Sequence, residues 1–462
     1  MSGRGGTLAA ITTVALSAMY IVLLTSVMAL LRTGLVQTPF GQGETADLVL
    51  GVLGLAFLIV SLIVATVVVT NAFALVTASR IREIALRRLL GASAAQERRR
   101  IALDGLRLSL GATALGTALA AGAALGVLAL TTQGDGMLAG AEPADLVDPL
   151  VVVPLLALQV CTVVAAWRGS AAVLAAEPVQ ALGLAGTREA GGDDRVRLGR
   201  GAAAALLTGL ALLALTAVAG AVTPFAAFLG IIAGTVLVIG VLAGANGLLP
   251  RVMALLGAVL PRTGPAAIAR RTLAEHPART ARAALGVLIG VAVVSMFVVA
   301  TASANLSLAL EYRDTEFQAQ ADEVLLGVLA IIGGLIGFVV LIAAVGLATT
   351  VALNTRLRAR EIAVTRILGQ SRRDAGAAII IESAVLSLAA ALSGLALGAL
   401  LGWVGAQSVI GVALTSRVVT PAVPLPLIGL VLVTALVLTV LAAVAPTRFV
   451  LADSPVRAFA RA

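Results

Sequence analysis

Lysine is missing from this chain of 462 residues: all 32 of its basic side chains are arginine. A Walker-type phosphate loop sets a lysine on the nucleotide phosphates, so its absence excludes ATP binding through such a loop in this chain. The lone cysteine, Cys161, excludes an intrachain disulfide and a cysteine-built metal cluster. The lone histidine, His276, leaves a histidine-based metal site without ligands. Charge is scarce as well. Charged residues make up 12% of the chain, against about 25% in soluble domains. Hydrophobic residues make up 60%, and the mean hydropathy is +1.08. No catalytic, cofactor-binding or metal-binding residue is expected, and the chain reads as a non-enzymatic bilayer protein.

A hydrocarbon core needs about 20 apolar residues per helix. By that measure the chain predicts ten spans, near 8–31, 48–77, 102–130, 149–167, 201–221, 225–248, 283–304, 324–353, 377–403 and 425–446. The first apolar run is longer than the roughly 7–15 residues of a secretory signal core, so it is expected to stay as a span. With the N-terminus inside, 29 of the 32 arginines fall on the cytoplasmic side, counting Arg107 near the cytoplasmic end of its span, and only Arg32, Arg313 and Arg417 lie outside. The 23 acidic residues divide 12 inside, counting Asp104 and Glu382 near the cytoplasmic ends of their spans, and 11 outside, leaving the inside at +17 and the outside at −8. Such a bias is what the positive-inside rule predicts, and one span more or fewer would destroy it. The formal +9 is therefore read as a topology signal and not as a nucleic-acid footprint.

The external loops, 32–47, 131–148, 222–224, 305–323 and 404–424, are too short to fold as domains with their own cores. The acidic residues of 305–323 (Glu311, Asp314, Glu316, Asp322 and Glu323) read as the face that the arginine bias leaves behind. The polar interruption 168–200, with Gly191-Gly192-Asp193-Asp194-Arg195 as a linker, separates two halves.

Those halves repeat. Arg80-Ile-Arg82-Glu83-Ile84-Ala85-Leu-Arg87-Arg88-Leu-Leu90-Gly91-Ala-Ser93 returns as Arg358-Ala-Arg360-Glu361-Ile362-Ala363-Val-Thr-Arg366-Ile-Leu368-Gly369-Gln-Ser371, with nine of fourteen positions identical at an offset of 278. Asp104 and Gly116 recur at that offset as Glu382 and Gly394, and each half closes on a similar tail, 178–182 and 455–459. Each copy lies between two apolar runs. Ile81, Ile84 and Leu89 against Arg80, Arg87 and Arg88 predict an amphipathic helix, with Gly91 and Gly369 as stops. A basic helix resting on anionic headgroups needs charge but no fixed order, whereas here the order and one glutamate recur. Asp104 and Glu382 are carboxylates at the cytoplasmic start of matched spans. They read chiefly as helix-start residues, Asp104 one turn before Arg107, although intramembrane carboxylates also mark function. Gly394, Gly398 and Gly402 form a smooth stripe, and Gly122/Gly126 and Gly230/Gly234 are expected to repeat that device of close helix packing.

The fold expected is an all-α integral membrane protein of ten transmembrane helices, N-in and C-in. Two parallel four-helix repeats, 1–183 and 263–462, are joined by 184–262, a linker with a two-helix insert.

The pattern Arg-x-Arg-Glu-Ile-Ala-x-x-Arg-x-Leu-Gly-x-Ser between two spans resembles the coupling-helix region of the FtsX-like (MacB-type) ABC transporter permeases. Glu382-Ser-Ala followed by the glycine stripe, and the stretch Ala269–Thr280, are similar to that family's glycine-rich span and to its amphipathic elbow. The resemblance implies a permease subunit driven by two cytoplasmic ABC ATPases, with ATP and Mg held by those partners and no cofactor in this chain. It implies ATPase docking through Arg80, Arg82, Glu83, Ile84, Arg88 and Gly91, and through Arg358, Arg360, Glu361, Ile362, Arg366 and Gly369, with Ile84 and Ile362 filling an apolar notch. It implies a bacterial plasma-membrane location, export or membrane extraction of a hydrophobic or amphipathic molecule (lipid, peptide or antibiotic), and room for an accessory membrane protein. Many relatives carry a large extracytoplasmic domain that this chain lacks. The competing expectation is a permease of the same type that transmits motion and transports nothing.

Overall fold

The computed structural model describes residues 2–36, 44–79, 81–131, 149–175, 199–223, 225–275, 277–311, 333, 337–338, 341, 371–414, 416–426, 428–434 and 436–437. Among them the regular structure is entirely helical. Ten helices follow in order: α1 (Ser2–Val36), α2 (Glu44–Ser79), α3 (Ile81–Leu89), α4 (Ala94–Thr131), α5 (Val152–Ala175), α6 (Arg200–Ala219), α7 (Ala226–Ala258), α8 (Gly264–Glu275), α9 (Pro277–Glu311) and α10 (Arg372–Ile410). Six segments, in α1, α4, α6, α7, α9 and α10, are long and apolar enough to cross a membrane. Shorter apolar stretches, Gly54–Thr70 and Val152–Trp167, lie in α2 and α5. These eight helices coincide with eight of the expected spans. Of the other two, 324–353 lies largely outside the described residues, and 425–446 is described over its first half, which is helical at 425–426, 428–434 and 436–437.

The chain forms two compact units. The first comprises Met1–Gly191 and Leu326–Gly346. In it α1 packs on α2 and α4, and α5 packs on the other side of the same two helices, so the helices ring a core in the order α1, α2, α5, α4. Alanines let the helices approach: Ala10, Ala15 and Ala18 of α1 meet Ala65 of α2, Ala112 of α4 and Ala165 and Ala166 of α5, with Val69, Phe73 and Leu158 filling between them. Gln159 of α5 ties itself to α4 inside this apolar setting. Its amide Nε2 donates to Thr113 Oγ1 at 2.6 Å and its Oε1 accepts from Ser109. The ring of Phe338 lies 5.7 Å from that of Tyr20.

The second unit comprises Gly192–Leu325 and Leu347–Ala462. Its axis is the pair α9–α10, and the hairpin α6–α7, which the sequence sets apart as an insert, packs here against α10. A Cβ on Gly394, Gly398 or Gly402 would fall against the backbone oxygens of Leu288, Ala292 and Met296 of α9, so the stripe is a seat for a neighbouring backbone. In the first unit Gly116, which matches Gly394, meets the Ala15 oxygen of α1 in the same way. Gly230 and Gly234 also pack, on Thr216 and Leu401. Gly122 and Gly126 do not: among the described residues a Cβ on either meets nothing within 4 Å, which corrects the expectation of close packing there.

Past α10 the chain is fastened by side chains and not by a sheet. Gln407 accepts from Val419 N at 2.7 Å and donates to Arg417 O at 2.9 Å, while Trp403 Nε1 donates to Val419 O at 3.0 Å. Ser307 and Ser303 accept from the amides of Thr420 and Ala422, each at 2.9 Å. The segment 417–422 is thereby held over the ends of α9 and α10. Buried backbone polar groups need partners, and these side chains supply them.

Candidate functional site

The first arginine-rich copy folds as a single short helix set between two others. α3 is stopped at Gly91, whose φ of +101° suits glycine and few other residues. The stop is a Schellman arrangement: Ala92 N donates to Arg87 O at 3.0 Å and Gly91 N to Arg88 O at 3.1 Å. Two residues later α4 is started by a capping box. Ser93 Oγ accepts from Gln96 N at 3.1 Å, and Ser93 N donates to Gln96 Oε1 at 2.9 Å. The motif's Gly-x-Ser ending is therefore a stop and a start in three residues. In the second copy, Ser371 caps α10 by accepting from Asp374 N at 3.0 Å. Asp374 lies 278 residues after Gln96, the offset of the repeat.

Charge fixes α3 to α4. Glu83 pairs with Arg87 one turn along, with glutamate N-terminal to the base as helices favour. The same guanidinium reaches back to Glu97 in the first turn of α4, 3.6 Å from Nη1 to Oε2. Only 6% of the Glu97 side chain is exposed, against 56% of Glu83. The next residue, Arg98, sets its guanidinium 5.3 Å from the centre of the Trp167 ring on α5, a cation–π contact. A line of polar contacts thus runs from α3 through the start of α4 to the end of α5.

The predicted residues part company here. Ile84 is buried, at 5% exposure, and so is Ala85. Leu86, Leu89 and Leu90 are exposed, Leu90 at 89%. The apolar face expected through Leu89 therefore does not turn inward there: the buried face runs through Ile84 and Ala85. Glu83 is exposed, and Arg88 is half-buried and engaged within the chain. Arg82 belongs to α3, whereas Arg80 and the stretch holding Arg358, Arg360, Glu361, Ile362, Arg366 and Gly369 lie outside the described residues, as does His276. Asp104 is partly exposed, 4.0 Å from the Arg107 guanidinium. Its counterpart Glu382 is buried and engaged within the chain. Among the described residues no cluster of histidine, cysteine and carboxylate side chains could hold a metal ion.

Reading from the sequence missed Glu97, Gln96 and Trp167. A signal for Gln96 was present in Ser93-x-x-Gln96, the sequence form of a capping box, but the reach of Arg87 to Glu97 across the turn needed the turn's geometry.

Against known proteins, no curated sequence matches this chain. A family model does match, twice: the FtsX-like permease C-terminal domain covers residues 55–173 and again residues 333–455. Each match takes in one arginine-rich copy and apolar sequence on either side of it, and together they cover more than half of the chain. Two matches to one family model, together spanning more than half of its length, make this chain a member of the FtsX-like permease family.

Proposed function

We propose that the chain is the permease subunit of an ABC transporter, that two separate cytoplasmic ATPases with ATP and Mg dock at 80–93 and 358–371, and that ATP hydrolysis there drives export or membrane extraction of a hydrophobic or amphipathic molecule. One observation carries the docking reading: α3 leaves Leu86, Leu89 and Leu90 exposed on a polar helix whose opposite face is already buried. Exposed leucines on a charged element, next to the exposed Glu83, form a small apolar centre with a polar rim, the anatomy of a protein contact. Ile84, being buried in its own unit, is left the role of seating α3, and the three leucines take the apolar contact with the partner. The external loops are short, so the substrate path runs among the spans or opens to the lipid, in a bacterial plasma membrane.

The reading is tested with the cognate ATPase co-expressed and the complex reconstituted in vesicles. Leu86→Asp with Leu90→Asp changes two exposed positions and spares the buried face. The double variant is expected to insert normally, to lose co-purification with the ATPase and to lose ATP-driven flux of a labelled lipid or peptide. Undiminished co-purification and hydrolysis would overturn the docking assignment. In the unaltered complex, hydrolysis without flux of any amphipathic probe would replace transport by mechanical signalling.

A further inference from the structure

We propose that the two coupling segments are mechanically unequal: the first is locked to its transmembrane helix by Arg87 held between Glu83 and the buried Glu97, and the second is built without that lock. The inference rests on the docking reading above for its functional consequence, but not for its structural content.

Three observations carry it. First, Glu97 is a nearly buried carboxylate whose ion-pair partner comes from a different helix, across a turn already fixed by the Gly91 stop and the Ser93–Gln96 box. A buried carboxylate stripped of its partner is costly, so this pair resists separation far more than an exposed one. Second, the lock continues inward, because the neighbouring Arg98 lies over Trp167 of α5. A push on α3 is thereby delivered to two membrane helices together. Third, the repeat keeps the motif but discards both halves of the pair. At the offset of 278, Arg87 becomes Thr365, Glu97 becomes Ala375 and Arg98 becomes Gly376. Within the motif the other charges are all kept, as Arg358, Arg360, Glu361 and Arg366, so Arg87 is the one charge lost there; beyond it Arg99 and Arg100 are lost as well, as Ala377 and Ala378. Ala375 is itself buried, as Glu97 is, so the second unit fills the matching place with a methyl group where the first holds a charge.

The first copy lies with both of its flanking helices inside one compact unit. A locked handle transmits displacement of its ATPase as rigid motion of its own bundle.

The experiment has two arms. In the first, hydrogen exchange is followed on the full chain in lipid nanodiscs without any ATPase. Glu97→Gln, nearly isosteric, and Arg87→Gln are each expected to speed exchange of the α3 amides by at least about tenfold while leaving the middle of α4 unchanged. The double variant is expected to be no worse than the more damaging single one, the mark of a shared interaction. Unchanged α3 exchange in Glu97→Gln, or additive effects in the double variant, would overturn the lock. In the second arm the ATPase complex is reconstituted. Arg87→Gln is expected to keep co-purification and to lose most of the flux per ATP hydrolysed, whereas Thr365→Gln, the same position in the second copy, is expected to lose far less of it. Equal losses at the two positions would overturn the inequality. Failure of the unaltered chain to bind the ATPase would sink the docking reading and leave the exchange result standing.

Discussion

At the residue scale, glycine serves opposite ends in this chain, and a single methyl group tells them apart. A Cβ on Gly398 would fall against the Ala292 oxygen, with Ser295 Cβ 2.7 Å away and Met296 N at 2.9 Å. Backbone cannot rotate aside as a side chain can, so α9 and α10 would have to separate. Gly398→Ala is expected to destabilise the second unit by about 2 kcal/mol, the cost of overpacking a well-filled interior. Gly126→Ala meets open space and is expected to be neutral or to stabilise α4 by about 0.5–1 kcal/mol through helix propensity alone. Thermal unfolding in a mild detergent measures both, and equal shifts would show that the stripe is not a seat for α9. Both glycines belong to small-xxx-small patterns in the sequence. The pattern says that a close approach is permitted; which face meets a neighbour depends on the rotation of the helix, and no spacing within a single helix records that.

At the scale of one element, α3 owes its length to its ends more than to its middle. Nine residues are too few for a helix to stand alone in water, so its stop and the start of its successor hold it. Ser93→Ala removes the side-chain acceptor of the capping box and is expected to cost about 1 kcal/mol. Ser371→Ala removes the matching cap of α10 and is expected to cost about as much. Exchange of the first-turn amides of α4 and α10 measures the fraying, and unchanged rates would mean that the caps are incidental. Much of this element was legible in the sequence: the glycine stop, the helix between two spans and its repetition. The direction of its apolar face was not. Ile81 and Ile84, three apart, share a face, whereas Leu89 is turned about 140° from Ile84 on a helix, and Ile84 is covered while Leu89 is not. Amphipathicity names two faces, but it does not say which of them a neighbouring span covers. The Arg87–Glu97 pair was hidden for a related reason. Its ten-residue separation crosses a turn, and only the turn decides whether two charges ten apart meet.

For the whole molecule the decisive quantity is the parity of its crossings. The positive-inside bias sets the cytoplasmic ends of an odd or even run of spans, and its +17 against −8 depends on a span at 324–353, largely outside the described residues, and another at 425–446, described over its first half. Parity is tested by two exposed positions that the ten-span order places on opposite faces, Leu90 at the end of α3 and Ser416 beyond α10. Seven crossings lie between them in that order, the eighth span included. Each is changed to cysteine in a Cys161→Ser background, where the native thiol no longer competes. In intact cells a membrane-impermeant maleimide is expected to label Ser416→Cys and to spare Leu90→Cys until the membrane is opened. The reverse pattern would turn the molecule over and place both arginine-rich copies where no cytoplasmic ATPase reaches them. Labelling of both from one side would mean an even number of crossings between them. One predicted span would then be lost, most economically the eighth, and with it the shared orientation that lets both copies face the same compartment.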